Sequence, residues 1–174
     1  MTGSISVRGN IMTLIDKVGK TLIIPSNYCF RNLFRQCTSL VEANISLPAT
    51  TLSMACYDNI FRDCSNLEIG PSELLAVNIP KLAYRSFFGG CSKLAKAPVL
   101  YGVTLGVGSY ENILGNCVLI NKVISYAQNI SADSCLSNWL NNVSTTGDFY
   151  NLGGANYSSG ASGIPSGWTI HTSL

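Results

Sequence analysis

Apolar side chains along this chain come in pairs that return at a fixed spacing: Leu33-Phe34, Ile60-Phe61, Phe87-Phe88 and Ile113-Leu114. Each pair stands four and three residues before a cysteine, and these anchors, Cys37, Cys64, Cys91 and Cys117, lie 27, 27 and 26 residues apart. An aromatic residue precedes every anchor by seven positions (Phe30, Tyr57, Tyr84, Tyr110), and Leu40, Leu67, Leu94 or Ile120 follows it by three. A degenerate fifth copy carries Leu136, Trp139-Leu140 and Val143 in the same places. Cys29, Cys56, Ala83, Ser109 and Cys135 share a slot eight residues before the anchor, and its small side chains mark a buried position of fixed volume.

Within one unit, Cys56, Tyr57, Ile60, Phe61 and Cys64 fall on one face of a 3.6-residue period, which predicts a short helix across Ser53 to Arg62. Ser53 and Ser26 suit the N-cap, and Pro80 the first turn of the next copy. Helices of about ten residues are marginal alone, so neighbouring units must supply their stability. Segments such as Leu40-Val41-Glu42-Ala43-Asn44-Ile45 and Leu94-Ala95-Lys96-Ala97 then read as short extended pieces that end near Pro48 and Pro98 and pair in parallel from unit to unit.

Periods of about 20 to 29 residues with fixed leucine-like positions are the signature of leucine-rich repeats. The expected fold class is therefore an α/β solenoid: short parallel strands on one face, short helices on the other, about four to five coils, and terminal caps. Residues 1–20 are expected to form an N-terminal cap strand or hairpin, 21–146 the leucine-rich repeats and 147–174 the C-terminal cap, all in a single structural domain. In the last of these, Gly147 to Gly167 reads as a loop closed by a final strand, with Trp168 plugging the last coil.

The repeat also explains the cysteines. Seven is an odd number, and equivalent cysteines would line up as a ladder of buried free thiols acting as small hydrophobes. A Cys29 to Cys37 bridge would have to span two helical turns, about 12 Å, which is too far. The chain has no CxxC pair and a single histidine, His171, so neither a metal site nor a cofactor is expected.

Composition excludes several classes of function. With 11 Lys and Arg against 9 Asp and Glu, the net charge of +2 is far from the basic excess that nucleic-acid binding needs. No apolar run is long enough to cross a bilayer, and Met1-Thr2-Gly3-Ser4-Ile5-Ser6 lacks the start of a secretory signal, so any targeting segment is expected outside this chain. His171, three residues from the end, excludes the common histidine-based relays, and Gly106-Val107-Gly108 has Glu111 where a dinucleotide loop needs its third glycine. Glu42, Asp58, Asp63, Glu68 and Glu73 are dispersed and read as solvated. No enzyme activity is expected. The ligand surface is expected on the strand face, at Glu42, Asn44, Lys96 and Lys122, from their outward alternation.

Several segments carry a more specific likeness. Cys37-Thr38-Ser39-Leu40, Leu47-Pro48-Ala49-Thr50-Thr51-Leu52, Cys56-Tyr57-Asp58-Asn59-Ile60-Phe61-Arg62-Asp63-Cys64-Ser65-Asn66-Leu67 and Gly163-Ile164-Pro165-Ser166-Gly167-Trp168-Thr169-Ile170 resemble the BspA-like leucine-rich-repeat proteins of bacterial cell surfaces, over residues 22 to 170. The resemblance implies an extracellular or cell-surface adhesion module that recognises a host or cell-surface protein or glycan. That family shares no catalytic site and no defined binding residues. Nucleic acid and membrane insertion are not expected, and oligomeric state stays open. The alternative is a phage virion or tail-associated structural or receptor-binding protein.

Overall fold

Asparagine, aspartate and glycine recur every four residues through the segments expected to be helical, and there the chain turns instead of coiling. The computed structural model describes residues 3–174; Met1 and Thr2, part of the expected N-terminal cap, lie outside the described residues. Left-handed backbone occurs at Tyr28, Asn32 and Gln36, at Ala55, Asn59 and Asp63, at Leu82, Ser86 and Gly90, at Gly108, Asn112 and Asn116, and at Ser134, Asn138 and Asn142. Nine of these fifteen residues are Asn, Asp or Gly, the types that adopt this conformation at least cost. A left-handed residue every fourth position is incompatible with an α-helix.

The backbone hydrogen bonds have the matching alternation. In the first such segment, 28–37, the N–H groups of Arg31, Leu33, Arg35 and Cys37 each donate to the carbonyl three residues back. The intervening N–H groups of Tyr28, Phe30, Asn32, Phe34 and Gln36 donate across to Met54, Cys56, Asp58, Ile60 and Arg62 at 2.8–3.0 Å. The same rungs join 55–64 to 82–91, that segment to 108–117, and that one to 134–143, always between residues 25 or 26 apart. These turn ladders satisfy their own backbone only when stacked. An isolated one would leave half its amides without a partner.

Among the described residues nine short strands accompany the ladders, every pairing parallel. β1 (Ile5–Asn10) pairs with β2 (Leu40–Ser46), and β2 reaches the next unit through a bridge from Glu42 to Ile69. A second sheet has the order β3 (Glu73–Leu74), β5 (Val99–Leu100), β7 (Lys122–Ser125), β8 (Gly147–Asn151) and β9 (Trp168–His171). β4 (Asn78–Ile79) and β6 (Thr104–Leu105) form a third. Pro71 and Pro98, which donate no backbone hydrogen bond, stand just before β3 and β5 and keep both to two residues.

The core lies between ladders and strands. Phe30, Tyr57, Tyr84 and Tyr110 form one aromatic column with ring centroids 5.6, 5.7 and 6.1 Å apart, and Phe34, Phe61 and Phe88 form a second at 5.4 Å. Trp139 and Trp168 close the far end, their indole N–H groups donating to the carbonyls of Gly163 and Ser144.

Several expectations are corrected here. The structure is not an α/β solenoid with helices on one face: among the described residues the only helical element is a four-residue 3₁₀ turn, Ile11–Leu14. With no helix to cap, the Ser53 hydroxyl donates instead to the Ile24 carbonyl. β1 is parallel to β2, so it belongs to no hairpin with it. The expected loop from Gly147 to Gly167 contains β8, where Asp148-Phe149-Tyr150 alternates around a buried Phe149. Asp58 is not solvated: it is fully buried between Arg31, at 3.0 Å, and Arg85, at 2.8 Å, one from the unit on each side.

All seven cysteines are free; Cys56, Cys64, Cys91, Cys117 and Cys135 are buried and Cys29 and Cys37 half-buried. Burial pushes the thiols of Cys56 and Cys117 up to about 12 and that of Cys64 up to about 11, from an ordinary 9.0. In the folded chain these thiols stay protonated at pH values where the unfolded chain ionises. Stability from these groups is thus fully present below about pH 9 and drains away as pH rises toward 12. Thermal unfolding across that range will show a falling midpoint, and replacing Cys56 by alanine will make the fall shallower.

Candidate binding surface on the strand face

Strand register decides which side chains meet on the outer face of the second sheet. Val123 and Phe149 point into the core, so their neighbours Lys122 and Ile124, and Asp148 and Tyr150, point out. Lys122 pairs with Asp148, Ile124 with Tyr150, and Tyr150 with His171. The Lys122 ammonium lies over the Tyr150 ring, 4.6 Å from its centroid. Tyr150 in turn stacks on the His171 imidazole at 4.6 Å and 19°, and His171 Nε2 is 2.7 Å from Asp148 Oδ1. Cation, phenol, imidazole and carboxylate from three adjacent strands thereby hold one another in place, with a cation–π contact worth about 0.5–1 kcal/mol at an exposed site.

A groove of about 310 Å³ runs alongside. β5 and β7 pair only at Leu100 and Ser125, and the chain before Pro98 diverges from β7, opening a slot with Ala97, Val99 and Ile124 as apolar lining and Lys96 and Lys122 at its sides. A further pair of stacked rings, Tyr101 and Tyr126 at 5.0 Å, stands just past the ends of β5 and β7. The surface thus offers flat ring faces, two ammonium groups and an apolar slot.

The four residues expected to bind ligand fall into two places. Lys96 and Lys122 line this groove, although Lys96 precedes β5 and is not itself in a strand. Glu42 and Asn44 lie on β2 beside a different groove, of about 590 Å³, between β2 and residues 69–75. Glu42 is occupied by Arg8, its carboxylate 3.0 Å from the guanidinium. Tyr150, His171 and Asp148 were not among the expected residues; the alternation of Asp148-Phe149-Tyr150 was the available signal.

Among the described residues no three His, Cys, Asp or Glu side chains converge as a metal site. No described helix is long and apolar enough to cross a membrane. No protein-family model, curated protein or solved structure matches this chain.

Proposed function

We propose that this chain is a non-catalytic binding module that takes an extracellular protein or glycan on its strand face. The observation that carries the reading is the ordered set Lys122, Tyr150, His171 and Asp148 beside the groove between β5 and β7. Half-buried rings fixed by their neighbours, as Tyr150 and His171 are, lose little side-chain entropy on binding, which is why aromatic groups dominate recognition surfaces. The BspA-like motifs in the sequence support a place at a bacterial cell surface and a role in adhesion.

Binding to a glycan array and to immobilised extracellular-matrix proteins tests this. Specific binding is expected, weakened at least tenfold, or about 1.4 kcal/mol, by Tyr150→Ala and by the double change Lys96→Glu, Lys122→Glu. Binding that survives both variants, or binding to no ligand, would overturn the assignment to this face.

A further inference from the structure

The end of the stack that carries β1 is an open section through the repeat. Leu33 is 42% exposed, whereas its equivalents Ile60, Phe87 and Ile113 are 0% exposed. Cys29, Phe34 and Cys37 are half-buried where Cys56, Phe61 and Cys64 are fully covered by the unit before them. Backbone groups repeat the pattern. The carbonyls of Met54, Cys56, Asp58, Ile60 and Arg62 each accept an N–H from the preceding ladder, but the equivalent carbonyls of Asn27, Cys29, Arg31, Leu33 and Arg35 have no donor among the described residues.

The opposite end differs in kind. There residues 156–163 lie over the last ladder, the Asn138 N–H donating to the Ser162 hydroxyl, the Trp139 indole N–H to the Gly163 carbonyl and the Trp139 ring stacking on Tyr157. Asn156, Ser158, Ser159 and Ser162 are exposed there and add further donors. Among the described residues β9 has a strand neighbour on one side only, and Ile170, in register with buried Phe149 and Val123, is nevertheless 55% exposed. Charge divides in the same sense. The first unit carries Arg8, Lys17, Lys20, Arg31 and Arg35 against Asp16, and the last stretch, from residue 130 on, carries Asp133 and Asp148 with no Lys or Arg.

We propose that a second copy of this chain occupies the β1 end, stacked head to tail. The free edge of its β9 pairs in parallel with β1, Ile170 packs toward Val7 and the exposed core positions around Leu33, and its exposed Asn156, Ser158, Ser159 and Ser162 side chains face the carbonyl row of residues 27–35. This continues the parallel pairing already made between β1 and β2. Face-to-face pairing of two β1 ends would oppose carbonyls to carbonyls and Lys17, Lys20 and Arg35 to their own copies, Arg8 and Arg31 being paired with Glu42 and Asp58. The contact is heterologous and does not close on itself, so assembly grows with concentration.

Sedimentation velocity over a wide concentration range is the test, with Leu33→Lys and Ile170→Lys as variants. Both positions are exposed in the single chain, so each variant keeps the folded monomer, as its circular dichroism will verify. Unmodified chain is expected to form species larger than dimers. Each variant alone is expected to stay monomeric, and an equimolar mixture to form dimers and nothing larger, since each supplies one intact end. Labelling of Cys29 and Cys37 by a thiol reagent should slow several-fold as the unmodified chain assembles. A chain monomeric at every concentration, a mixture that stays monomeric, or a dimer lost with Leu33→Lys but kept with Ile170→Lys would each overturn head-to-tail stacking.

Discussion

Replacing Phe87 by alanine will destabilise the chain by about 3–5 kcal/mol. The ring of Phe87 is fully buried and meets four others edge to face: Phe88 at 4.7 Å, Phe61 at 5.5 Å, Tyr84 at 5.6 Å and Tyr57 at 6.2 Å. It is the only ring that touches both aromatic columns in this way, and its removal leaves a hole that neither column can fill. The columns are fixed by backbone bonds such as that from the Phe61 N–H to the Phe87 carbonyl, at 3.0 Å, so the walls cannot move inward without breaking a rung. For a chain of this size the thermal midpoint should fall by roughly 10 °C. Phe87→Leu keeps most of the volume and should cost well under half as much. A loss below about 1 kcal/mol on Phe87→Ala would mean that the ladders yield and the site collapses.

The second prediction concerns backbone conformation and has opposite signs for a turn ladder and a helix. Asn138 has φ of +52° and is exposed, and its N–H donates to the Ser162 hydroxyl at 3.1 Å. A β-branched side chain in the left-handed region is strained, so Asn138→Val should cost about 2 kcal/mol. Asn138→Gly should be neutral within a few tenths, since glycine enters this region freely. In an exposed helical position the order would reverse, with valine tolerated and glycine about 1 kcal/mol worse than alanine. Urea titration of the two variants decides the matter. Far-UV circular dichroism of the unmodified chain should lack the helical double minimum.

These two predictions also mark how far the sequence could be read. The anchors Cys37, Cys64, Cys91 and Cys117 and the apolar pairs before them gave the period, because burial by a neighbouring unit demands the same side-chain volume at the same place each time. The secondary structure of each unit is not legible from these positions, because buried residues at spacings of one, three and four suit a helix and equally suit a ladder of turns that reverses every fourth residue. The discriminating signal was polar. Asn59, Asn112 and Asn138 stand inside the supposed helices, and Asp63, Asn116 and Asn142 just past their ends; these residue types are poor helix formers and good left-handed ones.

The candidate face was legible in part for a similar reason. Alternation correctly sent Lys122 outward, and the apolar slot beside Lys96 follows from Pro98, whose missing N–H keeps β5 short. Tyr150 and His171 could be placed beside Lys122 only once β7, β8 and β9 were known to be neighbours, and β8 lies in a glycine- and asparagine-rich stretch that obscures its alternation. Asp58 escaped notice because its partners Arg31 and Arg85 lie 27 residues away on either side.

Every rung between ladders joins residues 25 or 26 apart, whichever pair of units is considered. The loop that must close before a rung can form is therefore the same size throughout, and so is its entropy cost. Folding can begin at any interior pair and spread by equal steps, and adding units to such a chain would lower its relative contact order instead of raising it. Its folding rate should depend on how readily one pair of neighbours forms, and hardly at all on how many units follow.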